Sequence, residues 1–191
     1  EKYSGMGLGC LENILVAEEL ARGDSTVGTC LLIADFASEI ILHHGSEEQK
    51  TKWLPKVVEG ECLSCGAFTE PDHGSDITTV DTTAVKEGGR WVINGNKIFI
   101  TNSGPLAGFY CVLCQTDPEA VPTYRGLSLI LVEADNPGVS TQDVGKKMGI
   151  SLTYTAEVIF KDVRVPLENL IGEENKGFYQ LLAFFDESRI L

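Results

Sequence analysis

The apolar pattern of this chain changes period after Gly60, and that change limits the folds open to it more than any other feature. Before it the spacing is helical. Cys10, Ile14, Ala17 and Ala21 share one face of an amphipathic helix, with Glu12 and Glu19 opposite. Gly23-Asp24-Ser25 breaks that helix. Ser25 can cap a second one, which is apolar nearly all round from Cys30 to Ala34 and is expected to be buried among other helices. Gly45 closes a third helical stretch ending in His43 and His44, which read as C-terminal helix residues rather than metal ligands. Ser46-Glu47-Glu48-Gln49 is a capping-box pattern that starts a short helix through Trp53, with Pro55 as its stop.

Beyond Gly60 the period is two. Strands are expected over Leu63 to Thr69, Thr82 to Glu87, Arg90 to Ile93, Lys97 to Thr101, Phe109 to Thr116, Gly126 to Glu133, Val139 to Val144 and Glu157 to Val165. Gly88-Gly89 and Asn94-Gly95 read as hairpin turns between successive strands. With no helix between them, these strands predict an antiparallel sandwich or flattened barrel and exclude a doubly wound parallel sheet. Gly177 then opens a helix carrying Phe178, Leu181, Leu182 and Phe185. The fold class is therefore α+β: a helical segment over 1–60, an antiparallel β-barrel or sandwich domain over 61–172, and the start of a second helical domain over 173–191.

At 191 residues and 43% hydrophobic, the chain can bury a real core. A formal net charge of -13 argues against nucleic acid and anionic membrane surfaces as partners. No apolar run approaches the roughly 20 residues that span a bilayer, so a soluble protein is expected. The sequence starts at Glu1 and its last helix runs out with no stop signal, which reads as a piece of a longer chain. Six cysteines include the spacings Cys62 to Cys65 and Cys111 to Cys114. We reject a zinc reading, because residues three apart on the strand from Phe109 point to opposite faces. No metal is expected, and the thiols suit a reducing compartment.

The octapeptide Thr69-Glu70-Pro71-Asp72-His73-Gly74-Ser75-Asp76 interrupts the strands with a rigid, polar turn. Pro71 fixes its own φ and drives Glu70 toward extended geometry, while Gly74 permits conformations or approaches that a Cβ forbids. Ser75 and Asp76 add a hydroxyl and a carboxylate, as a turn gripping a phosphate or a cofactor edge would. An ordinary surface turn is the simpler reading of these residues alone. On the strand from Lys97, Phe99 and Thr101 share one face while Ile98 and Ile100 form an aliphatic, core-facing one. A planar ring could lie on Phe99 with Thr101 at its edge, or Phe99 could simply cover a barrel end.

Taken together, the T-E-P-x-x-G-S-D turn and the I-N-G-x-K-x-F-I-T-N-S ribbon about 20 residues later resemble the acyl-CoA dehydrogenase family. The likeness continues through Lys147-Met148-Gly149-Ile150, Phe160-Lys161-Asp162-Val163-Arg164-Val165-Pro166, Asn169-Leu170-Ile171-Gly172-Glu173 and Lys176-Gly177-Phe178, and so covers nearly the whole chain. It implies FAD-dependent α,β-dehydrogenation of an acyl-CoA thioester, with electrons passed to an electron-transferring flavoprotein by a homodimer or homotetramer. The compartment implied is the bacterial cytoplasm or the mitochondrial matrix. By motif match, the flavin contacts are Gly66, Phe68, Thr69, Gly74, Ser75, Phe99, Ile100 and Thr101, with Thr101 near the hydride-accepting nitrogen. Ser75, Asp186 and Arg189 are the implied substrate or coenzyme A contacts; Asp186 and Arg189 could otherwise be an exposed intrahelical ion pair.

The same resemblance leaves the catalytic base unassigned in this chain. Most members carry it in the later helical domain, and a minority at the position held here by Ser188. Glu187 is rotated about 100° from that face. Asp72-His73 departs from the small residues usual in the family's turn, so His73 either alters contacts to the coenzyme A phosphates or faces solvent, the second being favoured. Gly66 stands where a larger residue is common. Two rivals remain at this point: an acyl-CoA oxidase or related flavin monooxygenase that uses oxygen, and a non-catalytic β-sandwich binding module.

Overall fold

The computed structural model describes residues 2–189, apart from the side chains of Cys10 and Glu187. The face assigned to Cys10 and the direction assigned to Glu187 therefore lie outside the described residues. Four helices come first: α1 (Cys10–Gly23), α2 (Ser25–Leu32), α3 (Ser38–His44) and α4 (Glu47–Val58). The helix α1 half-buries Ile14 and Ala17 as the spacing demands, whereas Ala21, expected on the same face, is exposed. Asp24, not Ser25, caps α2, its carboxylate accepting from the amides of Thr26 and Val27. The expected burial of α2 does not hold, since Leu31 is 56% exposed. Its close neighbour is α1, against whose Ala21 backbone Gly28 packs with no room for a Cβ.

The capping box of α4 forms as read, with Ser46 Oγ accepting from Gln49 N and Gln49 Oε1 from Ser46 N. The helix does not stop at Pro55, however. It continues to Val58, because Trp53, Leu54 and Val57 form one buried stripe against the sheet. Burying that stripe outweighs the missing proline donor. Gly60, at φ +73°, then turns the chain out of the helix.

The strands are β1 (Leu63–Ala67), β2 (Thr83–Glu87), β3 (Arg90–Thr101), β4 (Ala107–Gln115), β5 (Leu127–Glu133), β6 (Val139–Asp143), β7 (Thr155–Pro166) and β8 (Leu170–Ile171), followed by α5 (Gly177–Ser188). Their order is β6-β7-β3-β2-β4-β5-β8, with β1 also on β4. The α+β class stands, but the sheet is mixed and unclosed rather than wholly antiparallel. Both β1 and β2 run parallel to β4, because the chain crosses over between them instead of turning back directly.

The residues of β4 show why its sequence lacks alternation. Phe109, Cys111 and Leu113 face a core shared with α3, α4 and α5, while Tyr110, Val112 and Cys114 face a second core that the curled sheet makes with itself. Both faces are covered, so Phe109 to Cys114 is an unbroken apolar run. Cys111 and Cys114 thus lie on opposite faces, as the strand spacing requires, and burial pushes both thiols well above their usual range.

Asn94-Gly95 is a correction. The Gly88-Gly89 hairpin forms, with both glycines at positive φ, but β3 runs straight through Asn94-Gly95. Pairing with β7 extends from Arg90 to Thr101 and slips register between Ile93 and Gly95, which makes a bulge in place of a turn. Gly95 is required by close approach: a Cβ there would lie 2.2 Å from Thr82 Oγ1. A second slip falls between Lys97 and Ile100, where Phe99 takes φ +58°.

Candidate functional site

The two motifs meet at one place. The amide of Ile98 on β3 donates to the carbonyl of Thr69 at 2.9 Å. Beneath this contact Lys97, with a fully buried side chain, donates from Nζ to Glu70 Oε1 at 2.8 Å and to the carbonyl of Phe68 at 3.2 Å. Glu70 also accepts from the amides of Asp81 and Thr82 at 2.5 and 2.9 Å. Its carboxyl would be raised by burial, but the Lys97 charge and these hydrogen bonds together hold it below the usual carboxylate range. The turn itself closes on two backbone bonds between Glu70 and His73.

Sequence reasoning missed Glu70 and Lys97. A strict period of two would put Lys97 on the same face as Phe99 and Thr101, and the intervening bulge reverses that relation. Lys97 turns in, whereas Phe99 turns out and is 63% exposed. The aliphatic face is likewise only partly core: Ile100 is buried, Ile98 half-buried. A signal was available in Lys97, a charge set beside the apolar run Ile98-Phe99-Ile100.

Of the other site residues, Gly74 and Ser75 lie exposed on the open turn, and Thr69 and Thr101 are half-buried. Gly74 is outside the left-handed region and a Cβ would meet nothing there, so the fold itself does not require glycine; only the approach of a bound group would. Asp76 accepts from the amide and hydroxyl of Thr78, which hold its carboxyl below its usual range. His73 does not face solvent freely. It is half-buried, with Nε2 3.4 Å from Asp81 Oδ2. Gly66 is buried under the rings of Phe68 and Phe36, and Ile100 points into the core, so neither presents a side chain to a ligand.

From the other side, α5 reaches the same place. Phe185 meets Phe68 edge-on with centroids 6.0 Å apart, and the Arg189 guanidinium lies 4.9 Å over the Phe185 ring. Asp186 is exposed on that helix and Ser188 half-buried. The turn, the end of β3 and the end of α5 therefore converge. On this side Phe99 is exposed, Thr101 half-buried, and a Cβ at Gly74 would meet nothing.

Known proteins resemble this chain along its whole length. The family models of the acyl-CoA dehydrogenase N-terminal and middle domains match residues 1–61 and 65–163. Mitochondrial isovaleryl-CoA dehydrogenase of Pongo abelii is 40% identical over all of this chain and 45% of its own length. The crystal structure of an acyl-CoA dehydrogenase from Geobacillus kaustophilus superposes with a TM-score of 0.89 at 43% identity, over 98% of this chain and 49% of that one. A glutaryl-CoA dehydrogenase from Mycobacterium smegmatis, solved in complex with FADH2, gives 0.87 at 32% identity, over 98% and 46%. The chain belongs to the acyl-CoA dehydrogenase family. It spans about half the length of the relatives it matches. Among the described residues no helix is long and apolar enough to cross a membrane.

Proposed function

We propose that this chain forms part of an enzyme that oxidises an acyl-CoA thioester to the 2-enoyl-CoA with FAD and passes the electrons to an electron-transferring flavoprotein. The observation that carries this is the junction of the octapeptide with the end of β3, where Thr69 binds Ile98 beside the exposed ring of Phe99. FAD, when bound, supplies the acceptor for the β-hydride. Phe99 gives a flat wall for the ring system, and the Thr101 hydroxyl donates a hydrogen bond at its edge. Backbone at Phe68 and Thr69, and the uncovered turn at Gly74 and Ser75, line the approach. Ser75 and Arg189 take the coenzyme A portion, Arg189 providing a local cation on an otherwise acidic chain.

No residue of this chain is assigned as the carboxylate base, since Ser188 has no carboxyl to offer. The mitochondrial matrix or a bacterial cytoplasm is the proposed compartment, and a homodimer or homotetramer the proposed assembly. The full-length protein, assayed with a panel of acyl-CoA thioesters and an artificial electron acceptor, tests the reading. A colourless protein without flavin absorption would favour a binding module, and rapid reoxidation of the reduced protein by oxygen would favour an oxidase.

Two substitutions probe individual roles. Thr101→Val is expected to slow flavin reduction about tenfold, the worth of one hydrogen bond, with the fold intact. Unchanged single-turnover reduction would remove Thr101 from the site. Arg189→Ala is expected to raise the apparent KM for acyl-CoA about tenfold with little change in kcat, as loss of one charged contact does. An unaltered KM would leave Arg189 as a cap on Phe185 alone.

A further inference from the structure

We propose that Glu70 and His73 of the octapeptide turn, with Asp81, form a site for one divalent transition metal ion of the zinc type. The inference stands on these residues alone and does not depend on the flavin reading. Their ligand atoms all lie within 4.8 Å of one another. His73 Nε2 and Asp81 Oδ2 are 3.4 Å apart. Tetrahedral zinc, with bonds of about 2.0–2.1 Å, sets neighbouring ligand atoms about 3.3 Å apart, so this pair already has the spacing of two ligands.

The third ligand is held in place and still has capacity. Glu70 is buried and fixed by Lys97, Asp81 N and Thr82 N, two of these bonds on Oε1 and one on Oε2. A carboxylate has about four acceptor positions, so one lone pair remains on Oε2. The backbone bonds between Glu70 and His73 fix the two ends of the turn that carries both side chains. Glu70 and Asp81 bring two carboxylates to the single ammonium of Lys97, which both of them face, and Asp76 lies close enough to feel His73. The local balance favours a cation. The imidazole selects zinc-like ions over magnesium or calcium, which prefer oxygen alone. Asp81 is exposed and His73 half-buried, which leaves an entry path and a fourth position for water.

Titration of the chelator-treated full-length protein with Co2+, followed by visible absorption, and with Zn2+, followed by calorimetry, tests the site. One equivalent per chain is expected, with Zn2+ displacing Co2+ and no comparable binding of Mg2+. His73→Ala and Asp81→Asn should each weaken binding at least about tenfold, since even supporting partners of metal ligands cost that much. Asp81→Asn keeps the backbone amide that serves Glu70, and the melting temperature of the metal-free variants should match the parent. Absence of saturable Zn2+ binding, or binding that both variants retain, would overturn the proposal, as would equal affinity for Mg2+.

Discussion

Replacing Lys97 with methionine is expected to lower the stability of the full-length protein by about 3–5 kcal/mol, the usual effect of removing one partner from a buried ion pair. Methionine keeps the length of the stem, so little volume is lost; what changes is charge. Glu70 would stay 3% exposed with two backbone amides but no cation, and the carbonyl of Phe68 would lose its donor. Adding Glu70→Gln should recover part of the loss, because a neutral amide no longer needs a counter-charge yet still accepts from Asp81 or Thr82. Urea denaturation of the parent, both single variants and the double variant supplies the coupling energy. A Lys97→Met protein within 1 kcal/mol of the parent, on the scale of an exposed pair, would mean that the pair does not anchor the turn.

The same pair sets an acid limit. Glu70 has a folded-state pKa below its ordinary value near 4.5, so its contribution to stability is complete above that value and is lost as the pH falls through the folded one. Lys97 is shifted down by burial, against the pull of Glu70, so its charge is a cost that only the carboxylate justifies. The parent should therefore lose stability below about pH 4.5 to a degree that Glu70→Gln does not share.

Much of this architecture was legible in the sequence where one local rule decided the outcome. The capping box at Ser46, the two-glycine hairpin and the opposite facing of Cys111 and Cys114 each follow from short-range geometry. The misreadings fall where a distant partner overrides a local preference. Asn94-Gly95 does not turn because β7 pairs along all of β3. Pro55 does not stop α4 because Val57 has a core to enter. Parallel pairing of β1 with β4 leaves no mark in either strand's own pattern, since both are buried nearly throughout and neither alternates. At the site, the residues meant to present outward were readable as motif; the buried pair beneath them was not, because a bulge between Lys97 and Ile100 exchanges the faces.

Asn102→Ala is expected to cost about 2–4 kcal/mol, because a single side-chain amide there holds three segments together. Asn102 Nδ2 donates to the carbonyls of Ile33 at 2.5 Å, Ser64 at 3.1 Å and Ala34 at 3.4 Å, linking the end of α2 and β1 to the residue that follows Thr101. Its own amide donates to Tyr154, and its φ of +66° suits asparagine far better than alanine. The loss thus has two parts, unpaired carbonyls and backbone strain, and Asn102→Gly separates them: glycine removes the same bonds but adopts this φ freely, so it should be less damaging than alanine by about 1 kcal/mol. Thr101 precedes this anchor directly, so both variants should also slow flavin reduction, alanine more than glycine. Equal stability of alanine and parent would show that the carbonyls of Ile33 and Ser64 find other donors, and that the end of β3 is held by its pairing with β7 alone.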